Sequence, residues 1–258
     1  MHREPLDVAA LEAALGERWP QIRVVAETGS TNTDLIADSA GPDRSVLAAE
    51  DQTAGRGRLD RSWITPPRGG LTFTVLLRPT APLATWGWLP LLAGVALHDA
   101  VGDVTGVGTS LKWPNDLLAD DGRKLAGILA QTTGDAVAIG IGLNVSLTED
   151  ELPVETGTSL AICGADVLDR TELLIEILTR LDRRALQWED VNGDAEACGL
   201  AADYASACST LGREVRVVLL DGDAVTGHAL RLCTDGRLLL DVDGELRAVG
   251  AGDVEHLR

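Results

Sequence analysis

The sequence predicts an α+β protein, in which a mixed β-sheet flanked by helices is followed by a small β-barrel. Two observations favour this class. Up to about residue 209, β-rich runs alternate irregularly with leucines and alanines at helical spacing. Beyond Leu211, four short β-prone runs are separated by three aspartate-glycine pairs, and such pairs between strands are typical of hairpins. We therefore expect a larger domain over residues 1–209 and a barrel over residues 210–258.

Each element of the larger domain has a local signal. In chain order we expect a helix at 6–15, a strand at 22–26, a helix after Ser30-Thr31-Asn32, strands at 46–49 and 71–77, a helix at 86–101, strands at 111–119, 124–130 and 136–145, and helices at 170–188 and 195–208. Apolar residues at helical spacing predict the helices, and short β-rich runs predict the strands. Ser30 and its neighbours are short polar residues of the kind that cap a helix. The turn Asp120-Asp121-Gly122 should join two strands in a hairpin.

The barrel strands are expected at 214–220, 224–232, 237–242 and 245–249. Because three aspartate-glycine turns separate them, these runs should pair as successive antiparallel hairpins.

Composition and charge exclude several classes of protein. The chain has 258 residues and a formal net charge of -18, and an acidic protein repels nucleic acid, so no DNA partner is expected. The first five residues lack the apolar core of a signal peptide, and no run approaches the ~20 apolar residues of a membrane span. We therefore expect a cytoplasmic protein with no membrane contact. Four scattered cysteines favour free thiols over disulfides or a zinc site.

One loop departs from this acidic background. Residues 52–63 read Gln-Thr-Ala-Gly-Arg-Gly-Arg-Leu-Asp-Arg-Ser-Trp, and from 56 to 68 four arginines stand against one acid, Asp60. Gly55 and Gly57 let backbone N–H groups approach a ligand closely, and the arginine fork matches phosphate or carboxylate. Residues 52–69, called the arginine loop below, are predicted to bind a polyanion.

Three motifs occur in a fixed order along the chain. They are Ser30-Thr31-Asn32, the arginine loop, and a hairpin carrying Lys112-Trp113-Pro114-Asn115-Asp116 and Lys124-Leu125-Ala126-Gly127-Ile128-Leu129. Together they resemble the biotin protein ligase family, and the resemblance extends through the C-terminal barrel. It implies a class II synthetase-like biotin/lipoate ligase fold with an SH3-like C-terminal domain. It also implies an ATP-dependent, AMP-forming ligase that makes biotinyl-5′-AMP in the presence of Mg²⁺.

The resemblance further implies a partner and a set of site residues. Biotin would be transferred to one lysine in the biotin carboxyl carrier domain of an acetyl-CoA, acyl-CoA or pyruvate carboxylase. The expected catalytic residues are Lys124, Arg58 and Asp116, with Asp116 also the expected Mg²⁺ contact. The expected biotin-binding residues are Ser30, Thr31, Asn32, Gln52, Arg56, Gly57, Arg58 and Lys124. The expected ATP or adenylate residues are Arg56, Arg58, Arg61, Trp63, Lys112, Asn115 and Asn144.

The assigned charges suit the implied chemistry. Attack of a carboxylate on an α-phosphate brings two anions together, so catalysis depends on cations placed in advance. Lys112 is assigned either to the nucleotide or to the attacking lysine. Asp60 departs from the family, which often has a glycine near this position, and its carboxylate would weaken phosphate binding or pair with a neighbouring arginine.

Two other functions compete with this interpretation. A lipoate or octanoyl ligase shares the fold and the lysine acylation, although the arginine loop and Lys112-Trp113-Pro114-Asn115-Asp116 favour biotin. A biotin sensor without turnover would need a DNA-binding or partner module. About 25 residues precede the first motif, which is too few for a helix-turn-helix domain. A monomer or a weak, ligand-dependent homodimer is expected.

Overall fold

A seven-stranded mixed sheet forms the centre of the larger part of the protein. The computed structural model describes residues 3–38, 40–59, 61–219, 222–250 and 252–257. The sheet strands are β1 (Gln21–Val25), β2 (Ser45–Ala49), β3 (Gly70–Leu77), β4 (Thr109–Lys112), β5 (Asp116–Ala119), β6 (Lys124–Thr133) and β7 (Ala136–Asn144). Their spatial order is β1-β2-β3-β7-β6-β5-β4. β1 and β2 pair in parallel, and the other neighbouring strands pair antiparallel.

Helices cover the two faces of this sheet unequally. They are α1 (Val8–Leu15), α2 (Thr31–Ala37), α3 (Leu89–Thr105), α4 (Arg170–Asp190) and α5 (Leu200–Ala207), with short 3-10 helices at Leu83–Trp88 and Glu149–Glu151. Val75 belongs to the large core under α3 and α4, whereas its neighbour Leu76 packs with Leu35 of α2. Because successive residues of a strand face opposite sides, α2 lies on the face opposite α3 and α4. Because α2 is short, it leaves part of this face of the sheet uncovered, and a cavity lies there.

The C-terminal strands form a separate antiparallel sheet. They are β8 (Glu214–Val218), β9 (Ala224–Leu232), β10 (Leu238–Val242), β11 (Glu245–Val249) and β12 (Asp253–His256), in the order β11-β10-β9-β8-β12. Its apolar residues join the core of the larger part. Trp88 Nε1 donates to Thr234 O at 3.0 Å and Trp113 Nε1 donates to Gly236 O at 3.3 Å, so the β9–β10 turn is anchored on two buried tryptophans.

The predicted α+β class is confirmed, and several element bounds differ from the predictions. The strand expected over 111–119 is interrupted between β4 and β5, because Pro114 has no N–H for the ladder; the Trp113–Pro114 peptide bond is cis. The helix expected from 195 begins at Leu200, after Gly199 in the left-handed region. Strand β12 was not predicted. The first of the three predicted aspartate-glycine turns includes Asp221, which lies outside the described residues.

Two further observations concern membrane spans and cysteines. None of the helices that the structure describes is long and apolar enough to cross a membrane. The four cysteines are free thiols, as expected. The domain boundary near residue 210 stays a prediction.

Candidate active site

A cavity of about 560 Å³ lies on the face of the large sheet that α2 covers only in part. Its floor is a patch of β6 and β7 where side chains are absent, formed by Gly127, Gly140 and Gly142. Gly127 and Gly142 are register partners across these strands. A Cβ on Gly142 would lie inside van der Waals contact of the Trp63 indole, so this glycine lets a flat ring lie against the sheet.

The structure brings nearly all predicted site residues to this cavity. Those that line it are Ser30, Thr31, Asn32, Gln52, Arg56, Gly57, Arg58, Arg61, Trp63, Asn115, Asp116, Lys124 and Asn144. Lys112 is the exception, because it lies in β4 and does not line the cavity. Asn144 is also tied to the scaffold, since its Nδ2 donates to Thr158 O at 2.8 Å. Asp60 falls outside the described residues.

The first polar wall begins at the helix cap. Ser30 is the N-cap of α2, and its hydroxyl accepts from the Thr33 N–H at 3.5 Å. Thr31 follows, and both its N–H and its hydroxyl donate to Gln52 Oε1, at 2.9 and 3.0 Å. The cap motif and the first residue of the arginine loop are therefore joined directly, and both predicted roles of Ser30-Thr31-Asn32, as cap and as site, are compatible.

A second network fixes the orientation of Asn32. Its Nδ2 donates to Gln131 Oε1 at 2.7 Å, and its Oδ1 lies 3.1 Å from the hydroxyl of Thr74. The Thr74 hydroxyl also lies 2.9 Å from Thr31 Oγ1. Thr74 is 0% exposed, and among the described residues its hydroxyl contacts these two partners. Asn32 Nδ2 also donates to Leu129 O at 3.5 Å, and the three partners of Asn32 together determine which amide atom faces which way before any ligand binds.

The arginine loop folds back on itself beside the cavity. Gly57 N–H donates to Arg61 O at 2.6 Å, and Trp63 N–H donates to Gly55 O at 2.9 Å. Arg58 reaches across to the rest of the site, where Nη1 donates to Asn115 Oδ1 at 3.2 Å. Burial lowers the pKa of Arg58, although guanidinium stays charged at any physiological pH. The loop therefore presents a fixed positive charge at the cavity wall.

The C-terminal sheet contributes to the same wall. Arg58 Nη1 donates to Gly252 O at 3.3 Å, and Arg61 forms an ion pair with Asp253, the first residue of β12. Partial burial opposes ionisation of Asp253, but Arg61, with Lys112 and Lys124 nearby, holds the pKa of its carboxyl below the usual value. The two parts of the protein therefore meet at the loop.

Lys124 and Asp116 form an ion pair inside the cavity. Lys124 Nζ lies 2.6 Å from Asp116 Oδ1, and it lies 5.7 Å from the centroid of the Trp63 ring. The Trp63 Nε1 is buried without a hydrogen-bond partner among the described residues, so it is a free donor. No group of three or more histidine, cysteine, aspartate or glutamate side chains in the described ranges suits a metal held by protein alone. Asp116 is the one predicted metal contact, and it does line the cavity.

A histidine links the C-terminal sheet to the Lys112–Asp116 segment. The hydroxyl of Thr210 accepts from the Trp113 N–H at 3.1 Å and lies 3.1 Å from His256 Nε2, so one hydroxyl bridges the two segments. Burial, helped by Lys112 and Arg213, lowers the pKa of His256 to about 4. No sequence motif includes His256, and its contacts become evident only in the folded chain.

Several residues of the cavity were missed by sequence analysis. They include Thr74 on β3, Pro153, Val154, Thr156 and Gly157 after β7, and Gly252 and Asp253 at the C-terminal sheet. Residues 153–157 reach the site because Lys124 N–H donates to Thr156 O at 2.7 Å, which pairs this segment with the start of β6. Gly140 and Gly142, which form part of the floor, also belong to no motif identified in the sequence.

Comparison with known proteins supports the motif-based assignment. Residues 22–146 match the model of the biotin/lipoate A/B protein ligase family, and residues 210–257 match that of the biotin protein ligase C-terminal domain. The chain is 44% identical to a biotin–[acetyl-CoA-carboxylase] ligase of Mycobacterium tuberculosis, over 99% of this chain and 97% of that protein. The chain belongs to the biotin protein ligase family.

Two further members of the family cover most of the chain. The bifunctional ligase/repressor BirA of Escherichia coli is 30% identical over 97% of this chain and 79% of its own length. A biotin protein ligase from Aquifex aeolicus, solved in complex with biotin and ATP, aligns with a TM-score of 0.77 and 29% identity over 92% of this chain and 99% of that chain. The family resemblance inferred from the motifs is therefore confirmed.

Proposed function

We propose that this protein joins biotin to ATP as biotinyl-5′-AMP and then transfers biotin to a lysine of a biotin carboxyl carrier domain. The observation that carries this proposal is the meeting of three groups in one cavity: a preset polar cluster, an arginine loop and Lys124. The relatives named as biotin ligases, and the Aquifex enzyme solved with biotin and ATP, support the same substrates.

The polar cluster suits the ureido ring of biotin. Such a ring presents N–H donors and one carbonyl acceptor, and an apolar pocket binds it only if a few polar groups are fixed in place. Thr31 is bonded to Gln52 directly and to Asn32 through the hydroxyl of Thr74, so the three residues are held in one hydrogen-bonded group at the cavity wall. We therefore place the ureido end of biotin at this group, and the carboxylate end towards Lys124.

The first step needs positive charge more than a protein nucleophile. A carboxylate oxygen of biotin attacks the α-phosphorus, a new P–O bond forms, and the bond from the α-phosphorus to the bridging oxygen breaks as pyrophosphate leaves. Lys124 and Arg58, which line the cavity, are assigned to offset the charge of the two reacting anions. Arg56 and Arg61 are assigned to the nucleotide, and Trp63 to the adenine.

Asp116 suits a shared magnesium site. Mg²⁺ is usually bound by one or two carboxylates together with substrate phosphates and water, and Asp116 offers one such carboxylate at the cavity. When bound, Mg²⁺ would neutralise phosphate charge. Asp116 also pairs with Lys124, so the carboxylate keeps that ammonium inside the cavity.

In the second step, the amine of the acceptor lysine attacks the acyl carbon of the adenylate. An amide bond forms, the bond from the acyl carbon to the phosphate oxygen breaks, AMP leaves, and the amine loses a proton. Lys124 is placed to stabilise the carbonyl oxygen during this attack. The acceptor carboxylase, a monomeric or weakly dimeric state and a cytoplasmic location stay predictions, to be tested by labelling of purified carrier domains, sedimentation and cell fractionation.

Lipoate is the competing substrate, because it is also a carboxylic acid that can be joined to lysine through an adenylate. Its dithiolane ring has no N–H or carbonyl group, so it would leave the Thr31–Asn32–Gln52 cluster without partners. The test is to incubate the protein with Mg²⁺, ATP, a carrier domain and either labelled biotin or labelled lipoate. We expect ATP-dependent covalent labelling with biotin, and preferential labelling with lipoate would refute the proposal.

A further inference from the structure

The base of the arginine loop is held by a buried ion pair outside the cavity. Glu50 follows β2, and Arg170 is the first residue of α4. Arg170 Nη2 lies 2.6 Å from Glu50 Oε2, and the side chains are 6% and 9% exposed, respectively. The Glu50 carboxylate also accepts from the Leu6 N–H at 2.7 Å. Neither charge touches the ligand cavity, and two buried charges are tolerated only where their partners are fixed.

Arg170 contacts both ends of the loop. Glu50 stands two residues before Gln52, where the loop begins, and Gly70 is the first residue of β3 beyond it. Arg170 Nη1 donates to Gly70 O at 3.4 Å. The Arg68 N–H donates to Glu50 O at 2.7 Å, which brings the two ends together. One guanidinium therefore fixes where the loop leaves β2 and where it enters β3.

The surrounding contacts extend this anchor to the segment after β7. Arg170 Nη2 also donates to Glu4 O at 2.5 Å, and the neighbouring Arg3 donates to Ser146 Oγ and O at 2.9 and 3.0 Å. The Ser146 N–H donates to Gly69 O at 2.8 Å. Residues 3–4, the end of the loop and the chain leading to residues 153–157 are thus one hydrogen-bonded unit, and two walls of the cavity continue from it.

We infer that Arg170 is a positioning residue for ligand binding: through Glu50 and Gly70 it sets the position from which Gln52, Arg56 and Arg58 meet biotin and the adenylate. This inference rests on the proposed function. It assigns a role in the reaction to a helix residue that touches no substrate. A guanidinium suits this position because its rigid, planar set of donors reaches a carboxylate and a carbonyl at once, whereas an ammonium is a compact point charge.

The direct test is Arg170→Met, which keeps an unbranched side chain and removes the polar contacts to Glu50, Gly70 and Glu4. We expect KM for biotin to rise and biotinyl-AMP to dissociate faster, each on the order of ten- to a hundredfold, because small misplacements far from the chemistry weaken binding strongly. The turnover number kcat for saturating substrates should fall less than kcat/KM, which is the signature of lost binding. Arg170→Lys should recover part of the loss, because it restores the charge opposite Glu50.

The matched control is Arg184→Met on the same helix. Arg184 is 14% exposed and pairs with Asp99 at 2.6 Å and Asp203 at 2.8 Å, so its loss also removes a partly buried ionic network. It stands roughly 21 Å further along α4, by the rise of 1.5 Å per residue, and contacts neither loop end. Urea unfolding and circular dichroism give the folded fraction of each variant, to which the kinetic values are normalised.

The outcomes separate this inference from the proposed function. If the wild-type protein makes no biotinyl-AMP, the proposed function fails before any variant is compared. If the wild type is active and folded Arg170→Met retains its KM and adenylate release rate, the positioning role is wrong. The positioning role is also wrong if Arg184→Met changes KM for biotin and the adenylate release rate as much as Arg170→Met does. Should Arg170→Met not fold, Glu50→Gln decides the question: it keeps the shape and removes the charge, and wild-type values in this variant overturn the inference.

Discussion

Thr74→Val tests whether the polar cluster is preset for biotin. The substitution keeps the branched shape on β3 and replaces the hydroxyl with a methyl group. The lost hydroxyl lies 3.1 Å from Asn32 Oδ1 and 2.9 Å from Thr31 Oγ1, and both of these residues line the cavity. Asn32 is 3% exposed, so its amide has little contact with solvent.

The expected magnitude follows from the contacts. A buried acceptor left without a partner costs about 1–3 kcal/mol. Part of this cost lowers the free energy of unfolding of the ligand-free protein. The rest weakens biotin binding, because Asn32 is no longer held in the orientation that the ligand needs. We expect a loss of about 1–2 kcal/mol of biotin binding, which corresponds to a roughly 5–30-fold higher Kd.

Thr72→Val is the matched control for this experiment. Thr72 lies two residues away on the same face of β3, is 4% exposed, and donates to Ala49 O at 3.1 Å without lining the cavity. Calorimetric titration with biotin gives Kd, and urea unfolding gives the stability of each variant. Both variants should lose stability, but only Thr74→Val should lose affinity. Equal Kd values for the two variants would show that the network does not prepare the site.

Three further predictions address the loop, the floor and the interface between the two sheets. Arg58→Gly should release biotinyl-AMP early and so biotinylate bystander lysines; mass spectrometry of an unrelated lysine-rich protein without such adducts, while the carrier domain is still labelled, would contradict a retention role. Gly142→Ala should displace the Trp63 indole and weaken nucleotide binding at least tenfold while far-ultraviolet circular dichroism stays unchanged, since the added methyl group overlaps the ring; wild-type ATP affinity would argue against this packing. The pKa of His256 is lowered from 6.5 to about 4, so the unfolded chain takes up a proton first and stability should fall as pH drops from about 6.5 to about 4. His256→Gln should reduce that fall, and an identical pH dependence of the urea midpoint would refute it.

The parts of the site that could be predicted from sequence are local in the chain. Ser30 was identifiable as a cap because its role depends on the next few residues, and the arginine loop because four cations stand within a short glycine-containing run. The role of Lys124 could not be predicted from its neighbours in the sequence alone, since a single lysine on a strand is ordinarily a solvated residue. Its assignment depended on the order of the three motifs, and the structure places it with them at one cavity.

The missed residues depend on tertiary contacts. Thr74 stands in an apolar strand, and nothing in such a run distinguishes a threonine that orients a ligand residue from one that packs. Gly252 and Asp253 reach the site only because the C-terminal sheet docks against the loop. The break between β4 and β5 did have a signal, because a proline within a predicted strand argues against a continuous ladder.

The most direct test of the central claim is single-turnover formation of biotinyl-AMP by the wild-type protein and by Lys124→Ala. Lys124 is the cation that the structure places between Asp116 and Trp63 inside the cavity. Removing one preset charge from such a site typically costs about 3 kcal/mol, or on the order of a hundredfold in rate. We expect the folded variant to form the adenylate about a hundredfold more slowly than the wild type. An unchanged rate would show that adenylation does not depend on this cavity in the way the structure indicates.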